Sequence, residues 1–291
     1  MNEIIARNPC LNELPLLYNI WDSIFGKIGR ESFFRLFFKP ELCAVAEING
    51  SPVACGYLVP FGDIKDSKGS ASCAMIYSVA SLPEHRGLGL GSAVVNKLNS
   101  IAGEVGFAAT VLCPSEDRLF NYYNKLGFFD CFYINEVSYK NNALNHTPLK
   151  ASKIPAEQYI SQRDTQLSGL SYIKYDVKIF EYQELLCEET GGGLYRIGDF
   201  YAVVESSPDN TLWFKEFLYP GIKESLSPDD NTINNVISTI SQLFPADEFI
   251  LRFPSKPGEG RRFGMLAAQD NIRSLNRTVN DFSPWYGVSF D

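Results

Sequence analysis

The residues with the most pointed chemistry lie between Met75 and Phe128. Their centre reads Ser78-Val79-Ala80-Ser81-Leu82-Pro83-Glu84-His85-Arg86-Gly87-Leu88-Gly89-Leu90-Gly91-Ser92. Glycines let a backbone take positive φ and come close to a ligand. If a helix starts among them, its first N–H groups have no intrahelical partner and the positive end of its dipole faces the loop. A pyrophosphate fits such a site, and Arg86 is placed to add a charge-assisted contact. The same glycines also suit a tight strand-to-helix turn with no ligand, and taken alone they favour that plainer role. Two common phosphate loops do not fit. No Lys-Ser/Thr follows the last glycine, as a P-loop needs, and no acidic residue on a short second strand is placed for a ribose.

The flanking elements must position that loop. Ala74 to Ala80 reads as a β-run, ended at Pro83. Val94, Val95, Leu98, Ile101, Ala102 and Val105 recur with helical period after the loop. Thr110 to Cys113 reads as a short buried strand ended by Pro114, with Cys113 as packing. A second helix, Glu116 to Leu126, closes on Tyr122-Tyr123-Asn124-Lys125-Leu126-Gly127-Phe128, where Gly127 suits a helix C-terminus.

With Val79-Ala80-Ser81 before the loop, Arg86-x-x-Gly89-x-Gly91 within it and Tyr123-x-x-x-Gly127-Phe128 after it, the sequence resembles the GNAT superfamily of acetyl-CoA-dependent N-acetyltransferases over roughly residues 40–140. The resemblance implies a mixed α+β fold with a central twisted mixed sheet flanked by helices. It implies acetyl-CoA as co-substrate, its diphosphate on Arg86, Gly87, Leu88, Gly89, Leu90, Gly91 and Ser92. It implies that the central strand and the next splay apart, with the pantetheine arm pairing to Val79 and Ser81. By resemblance, Tyr123 protonates the leaving thiolate, a role that suits a phenol beside the sulfur; Tyr122 is the fallback. One departure is visible: an Asn is frequent in the family seven residues before the tyrosine, and Glu116 stands there.

The general base is not legible. Asp22 and Glu47 read as solvated carboxylates, Glu84 as part of the turn and His85 as a surface residue. The chain-end carboxylate of Asp291 is a further candidate by analogy with tandem acetyltransferases.

Composition frames these motifs. At 291 residues, two domains are expected. The net charge of −8 disfavours nucleic acid or an anionic membrane and is compatible with a cationic amine acceptor, a small molecule or peptide. The cysteine count is odd and holds no C-x-x-C pair, so neither a disulfide framework nor a metal site is indicated. No signal-peptide pattern opens the chain and no apolar run approaches membrane-spanning length, so a cytoplasmic protein is expected.

Before the loop, Asn12 to Phe25 and Glu31 to Phe38 read as helices. Cys43 to Ile48 and Pro52 to Val59 read as a hairpin around Asn49-Gly50, and Phe61 to Ser72 as a polar loop. The predicted domains are 1–141, carrying the acetyl-CoA site, a linker at 142–155, and 156–291. In the last, Ala156 to Ser168, Lys174 to Thr190 and Thr232 to Leu243 read as helices, the third capped by Asp230 or Asn231. Leu194 to Ile197, Phe200 to Glu205, Leu212 to Tyr219, Phe249 to Phe253 and Trp285 to Phe290 read as strands. Gly258 to Arg262 reads as a solvated loop.

This order repeats the first half without an Arg-x-x-Gly-x-Gly. Glu224, Asp229 and Asp230 stand where a phosphate would go, so a degenerate GNAT-like domain without cofactor is expected. Two functions follow. One is acetyl transfer to a primary amine by direct attack in a ternary complex. The other is a non-catalytic acyl-CoA-binding sensory or scaffolding module.

Overall fold

The computed structural model describes residues 4–66, 69–140, 148–223, 225, 228–256, 259–269 and 284–290. In chain order the elements are β1 (Ile5–Arg7), α1 (Leu14–Phe25), α2 (Arg30–Leu36), β2 (Cys43–Ile48), β3 (Ser51–Lys65), β4 (Ser70–Ser81), α3 (Leu90–Val105), β5 (Ala109–Leu112) and α4 (Asp117–Asn124). Then follow β6 (Phe129–Lys140), β7 (Ala151–Lys153), α5 (Ala156–Leu167), β8 (Tyr172–Tyr175), α6 (Val177–Thr190), β9 (Gly193–Ile197), β10 (Phe200–Ser206) and β11 (Thr211–Leu218). The last are α7 (Asp230–Ile240), β12 (Glu248–Pro254) and β13 (Arg261–Ala268). The fold is mixed α+β, as expected.

The described residues form two compact units. In the first, the strand order is β1-β2-β3-β4-β5-β13, with β4 and β5 parallel and β13 antiparallel to β5. In the second it is β6-β12-β11-β10-β9-β7, with β11 and β12 parallel. Each unit therefore holds one strand–helix–strand crossover to a parallel neighbour: β4-α3-β5 and β11-α7-β12.

The units do not follow the boundaries at 141 and 156. Residues 131–140 belong to the second unit and 264–269 to the first. Backbone pairing is the reason: β6 pairs along the whole of β12, and β13 pairs with β5. Part of the expected linker is β7, paired with β9; residues 142–147 lie outside the described residues.

Other expectations also change. Phe61 to Ser72 is not a loop: β3 runs to Lys65 and β4 starts at Ser70, because Phe61 and Ile64 are buried while charged neighbours face outward. The turn is closed by Asp66, whose carboxylate accepts from the Gly69 N–H at 2.8 Å. Arg261 and Arg262 open β13 rather than a solvated loop, while Gly258 lies outside the described residues. Lys174 belongs to β8, and α6 starts only after Asp176, which caps it. Trp285 to Phe290 forms no strand; Trp285 makes a single bridge to Tyr172.

That C-terminal stretch is held by side chains instead. Glu216, fully buried, accepts from Arg163 Nε at 2.9 Å, from the Tyr159 hydroxyl at 3.1 Å and from Trp285 Nε1 at 2.6 Å. A carboxylate and a guanidinium taken wholly out of water persist only when paired and hydrogen-bonded like this.

Two sequence features place the helix that matters most. Asn49 and Gly50 both have positive φ, as a two-residue type I′ hairpin requires, and this fixes β2 against β3. Gly56 on β3 lets α3 lie close: a Cβ there would meet Val94 Cγ1 at 2.8 Å and Leu98 Cδ1 at 3.1 Å. Helix α3 then buries Val94, Val95, Leu98, Ile101 and Ala102 against β2, β3, β4 and β5. Val105, expected on that face, is exposed at the helix end.

Substituting Gly56→Ala should destabilise the first unit by about 1–3 kcal/mol through overpacking. Urea unfolding monitored by circular dichroism measures this, and Gly50→Ala, a turn position with open space around it, gives the comparison for strain without crowding.

Candidate functional site

The site is the junction of β4 and α3. β4 pairs with β5 from Cys73↔Ala109 to Met75↔Val111, then runs on to Ser81 while β5 ends at Leu112. Ser78 has φ 49, a left-handed conformation uncommon for a residue with a Cβ, and it interrupts the regular run of the strand. Val79 and Ser81 thus lie on the part of β4 beyond its pairing with β5. The Val79 side chain packs against the first unit's core.

After Ser81 the chain makes a 3-10 turn at Pro83–His85, anchored by the Leu82 N–H on the Val53 carbonyl at 2.9 Å. Arg86, Gly87, Leu88 and Gly89 are all exposed. Gly87 and Gly89 have φ of 80 and 85. Gly89 is the N-cap of α3 and, lacking a side chain, leaves the helix start without a side-chain cap. The first N–H groups of an α-helix have no partner within it. Here no side chain of the cap fills them, and the positive end of the helix dipole adds to their pull on an anion. Arg86 makes no ion pair among the described residues and stands beside them.

Gly91 and Ser92 meet α4 at this point. The Ser92 and Tyr122 hydroxyls share a hydrogen bond at 3.1 Å, and a Cβ on Gly91 would lie 3.1 Å from the same Tyr122 oxygen. Leu90 is buried under the first turn. At the other end of the crossover, Thr110 Oγ1 donates to Asn99 Oδ1 at 2.6 Å, tying α3 to β5.

The adjacent tyrosines have separate places. Tyr122 is committed to Ser92. Tyr123 is half-buried against the core cluster, its ring 5.9 Å from Phe128 and 5.0 Å from Tyr122. Its hydroxyl has no hydrogen-bond partner among the described residues. Burial, with a smaller contribution from Tyr122, pushes its pKa well above the usual phenol range, so the phenol stays protonated at neutral and mildly alkaline pH.

The carboxylates considered as bases are mostly occupied. Asp22 is paired with Arg30, and Glu47 with Arg7 at 2.6 Å, so neither is the free solvated group expected. Glu84 is exposed on the 3-10 turn and His85 is half-buried there. Glu116 is the N-cap of α4 and pairs with Arg118 at 2.5 Å on the surface. Cys113 is half-buried. Asp291 lies outside the described residues. Among the described residues, no cluster of three metal-ligating side chains occurs.

The second unit handles the same problem differently. The N-cap of α7 is Asp229, not the expected Asp230 or Asn231. Its carboxylate accepts from the Thr232 N–H at 3.0 Å and from the Thr232 hydroxyl at 2.7 Å. The helix start that is open in the first unit is thus filled in the second by the protein's own anion. Glu224 lies outside the described residues.

Residues 14–128 match the model of the acetyltransferase (GNAT) family, and this segment is a GNAT domain. Among solved structures, the chain is similar to a GCN5-related N-acetyltransferase from Kribbella flavida at 16% identity and TM-score 0.64, covering 91% of this chain and 70% of that one. A GCN5-related N-acetyltransferase from Anabaena variabilis gives 15%, 0.64, 91% and 72%. Eis1 from Mycobacterium abscessus gives 12%, 0.60, 91% and 74%. At these identities the likeness is one of fold, and it extends well beyond the family-matched segment. No curated protein matches the chain.

Replacing Gly89→Asp would place a carboxylate at the start of α3. Isothermal titration with coenzyme A should then show affinity reduced by about tenfold or more, from like-charge repulsion with the diphosphate. Unchanged affinity would mean that the diphosphate binds elsewhere.

Proposed function

We propose that the chain transfers the acetyl group of acetyl-CoA to a primary amine, by direct attack within a ternary complex. One observation carries this: the start of α3 is uncapped, exposed and flanked by Arg86, while the matching helix start in the second unit is already filled. The diphosphate would lie on the amides from Arg86 to Ser92. The pantetheine arm would follow the free part of β4 past Val79 and Ser81, bringing the thioester to Tyr123.

The chemistry balances without a covalent enzyme intermediate. The amine lone pair attacks the thioester carbon, the C–N bond forms, and the C–S bond breaks as the amine nitrogen loses a proton to solvent. The thiolate leaves toward Tyr123. Orienting the two substrates supplies much of the rate. A thiol has a pKa near roughly 8.5 and a phenol near 10, and burial moves Tyr123 further up. Full proton transfer from Tyr123 to the thiolate is therefore uphill, and its favoured contribution is a hydrogen bond donated to the developing charge.

The second unit is read as a degenerate GNAT-like domain without cofactor: it repeats the strand–helix–strand crossover but self-caps its helix. The acceptor is a small-molecule or peptide amine. None of the seven cysteines, all among the described residues, is in a disulfide, which suits a cytoplasmic setting, and no described helix is long and apolar enough to cross a membrane.

The alternative is a non-catalytic acyl-CoA-binding module, favoured by the pairing of Asp22 and Glu47, which leaves neither as an evident base. Mixing the protein with acetyl-CoA and a panel of amines, and following free thiol, separates the two. Thiol release that depends on one amine class supports the enzyme; saturable binding with no release for any amine supports the module.

In the enzyme, Tyr123→Phe should lower kcat by about tenfold or more with little change in acetyl-CoA affinity, the loss of one donor to developing charge. A loss of affinity instead would assign Tyr123 to binding or packing. Because its pKa is raised, Tyr123 holds its proton below its ordinary value of about 10. The pH profile of kcat should therefore rise as the amine deprotonates and show no falling limb through about pH 9. A fall between pH 7 and about 9 that Tyr123→Phe abolishes would contradict the raised pKa.

A further inference from the structure

The second unit has a cavity of about 610 Å³ at the end of β11 and the start of α7, the place where the first unit keeps its open loop. Its walls include Phe200, Tyr219, Pro220 and Pro228, with Asp229 and Thr232 on the helix side. Among the described residues, no lysine or arginine lines it. The volume is that of a small-molecule site.

The chemistry of this cavity is the reverse of an anion site. The N–H that would greet a phosphate is taken by the Asp229 carboxylate, through Thr232. Those hydrogen bonds hold Asp229 below the usual carboxylate range, so it stays charged. Asp230, also in the first turn of α7, does not line the cavity; it hydrogen-bonds Tyr139.

The aromatic wall is a run of stacked rings. Phe200 stacks on Phe217 with centroids 5.8 Å apart, and Phe217 stacks on Tyr219 at 6.0 Å. The Tyr219 hydroxyl donates to the Ser225 carbonyl at 2.5 Å, which fixes the ring and spends its proton within the protein. Aromatic walls beside a carboxylate attract organic cations, through the ring quadrupole and through charge.

We propose that this cavity binds an organic ammonium ion with an apolar or aromatic body, as a site separate from the acetyl-CoA loop. Asp229 then serves two ends: it closes the helix to phosphate and presents its remaining lone pairs to the cation. The proposal is independent of acetyl transfer and stands or falls on binding alone.

The probe is benzyltrimethylammonium, a quaternary ion that cannot be acetylated. Isothermal titration uses the full chain with coenzyme A present in saturating amount. Wild type should bind one equivalent saturably. Asp229→Asn keeps an N-cap oxygen and removes the charge, and should weaken binding by about tenfold with the melting temperature held. Phe200→Ala should weaken it by about fivefold or more through loss of an aromatic wall. Lack of saturable binding to wild type, or equal binding to wild type and Asp229→Asn, overturns the proposal. If coenzyme A itself fails to bind, the titration is still read in its absence, so failure of the acetyltransferase reading is seen separately.

Discussion

An α-helix begins with N–H groups that its own geometry cannot pair, and whatever satisfies them fixes how the surrounding site can be used. In this chain the two crossover helices meet that constraint in opposite ways. Gly89 offers α3 no side-chain cap, and the exposed stretch around it carries Arg86. Asp229 gives α7 a carboxylate. A single difference of residue type thus leaves one unit ready for an anion and closes the other, although both use the same strand–helix–parallel strand plan.

The rest of the first unit supports the open helix start. Gly56 allows α3 to lie close on the sheet, Thr110 ties it to β5, and Tyr122 braces its first turn through Ser92. Tyr122 is occupied by Ser92, while the neighbouring Tyr123 hydroxyl has no partner among the described residues. In the proposed reaction the raised pKa of Tyr123 would keep it a hydrogen-bond donor to the leaving thiolate. Asp22 and Glu47 are held in ion pairs, so the acceptor's proton would go to solvent or to another group.

Much of this was legible in the sequence because the signals are local. Alternation and helical spacing gave β2, β4, α1 and α3, and Asn49-Gly50 gave the hairpin turn. The loop at Arg86–Ser92 and the tyrosine pair were legible because glycine spacing and aromatic position carry direct conformational meaning. What failed was non-local. Exchange of β6 and β13 between units leaves every local pattern unchanged, since either strand looks alike whichever partner it pairs with. The stretch 61–72 reads as a polar loop, yet β3 and β4 run through much of it, because backbone pairing overrides composition. The ion pairs of Asp22 with Arg30 and of Glu47 with Arg7 join residues 8 and 40 positions apart, on different elements, and no sequence pattern announces them. The one-residue displacement of the α7 cap to Asp229 is the ordinary uncertainty of helix ends, but here it identifies the group that blocks the anion site.

In the proposed function, coenzyme A is held by the first amides of α3 and not by those of α7. Backbone amide chemical shifts, followed by NMR during a titration with coenzyme A, test it directly. Large, saturable shifts are expected for the N–H groups of Leu90, Gly91 and Ser92, with those at the start of α7 unmoved. Saturable binding that leaves Leu90 to Ser92 unshifted, or that moves Asp230 to Thr232 instead, would contradict it.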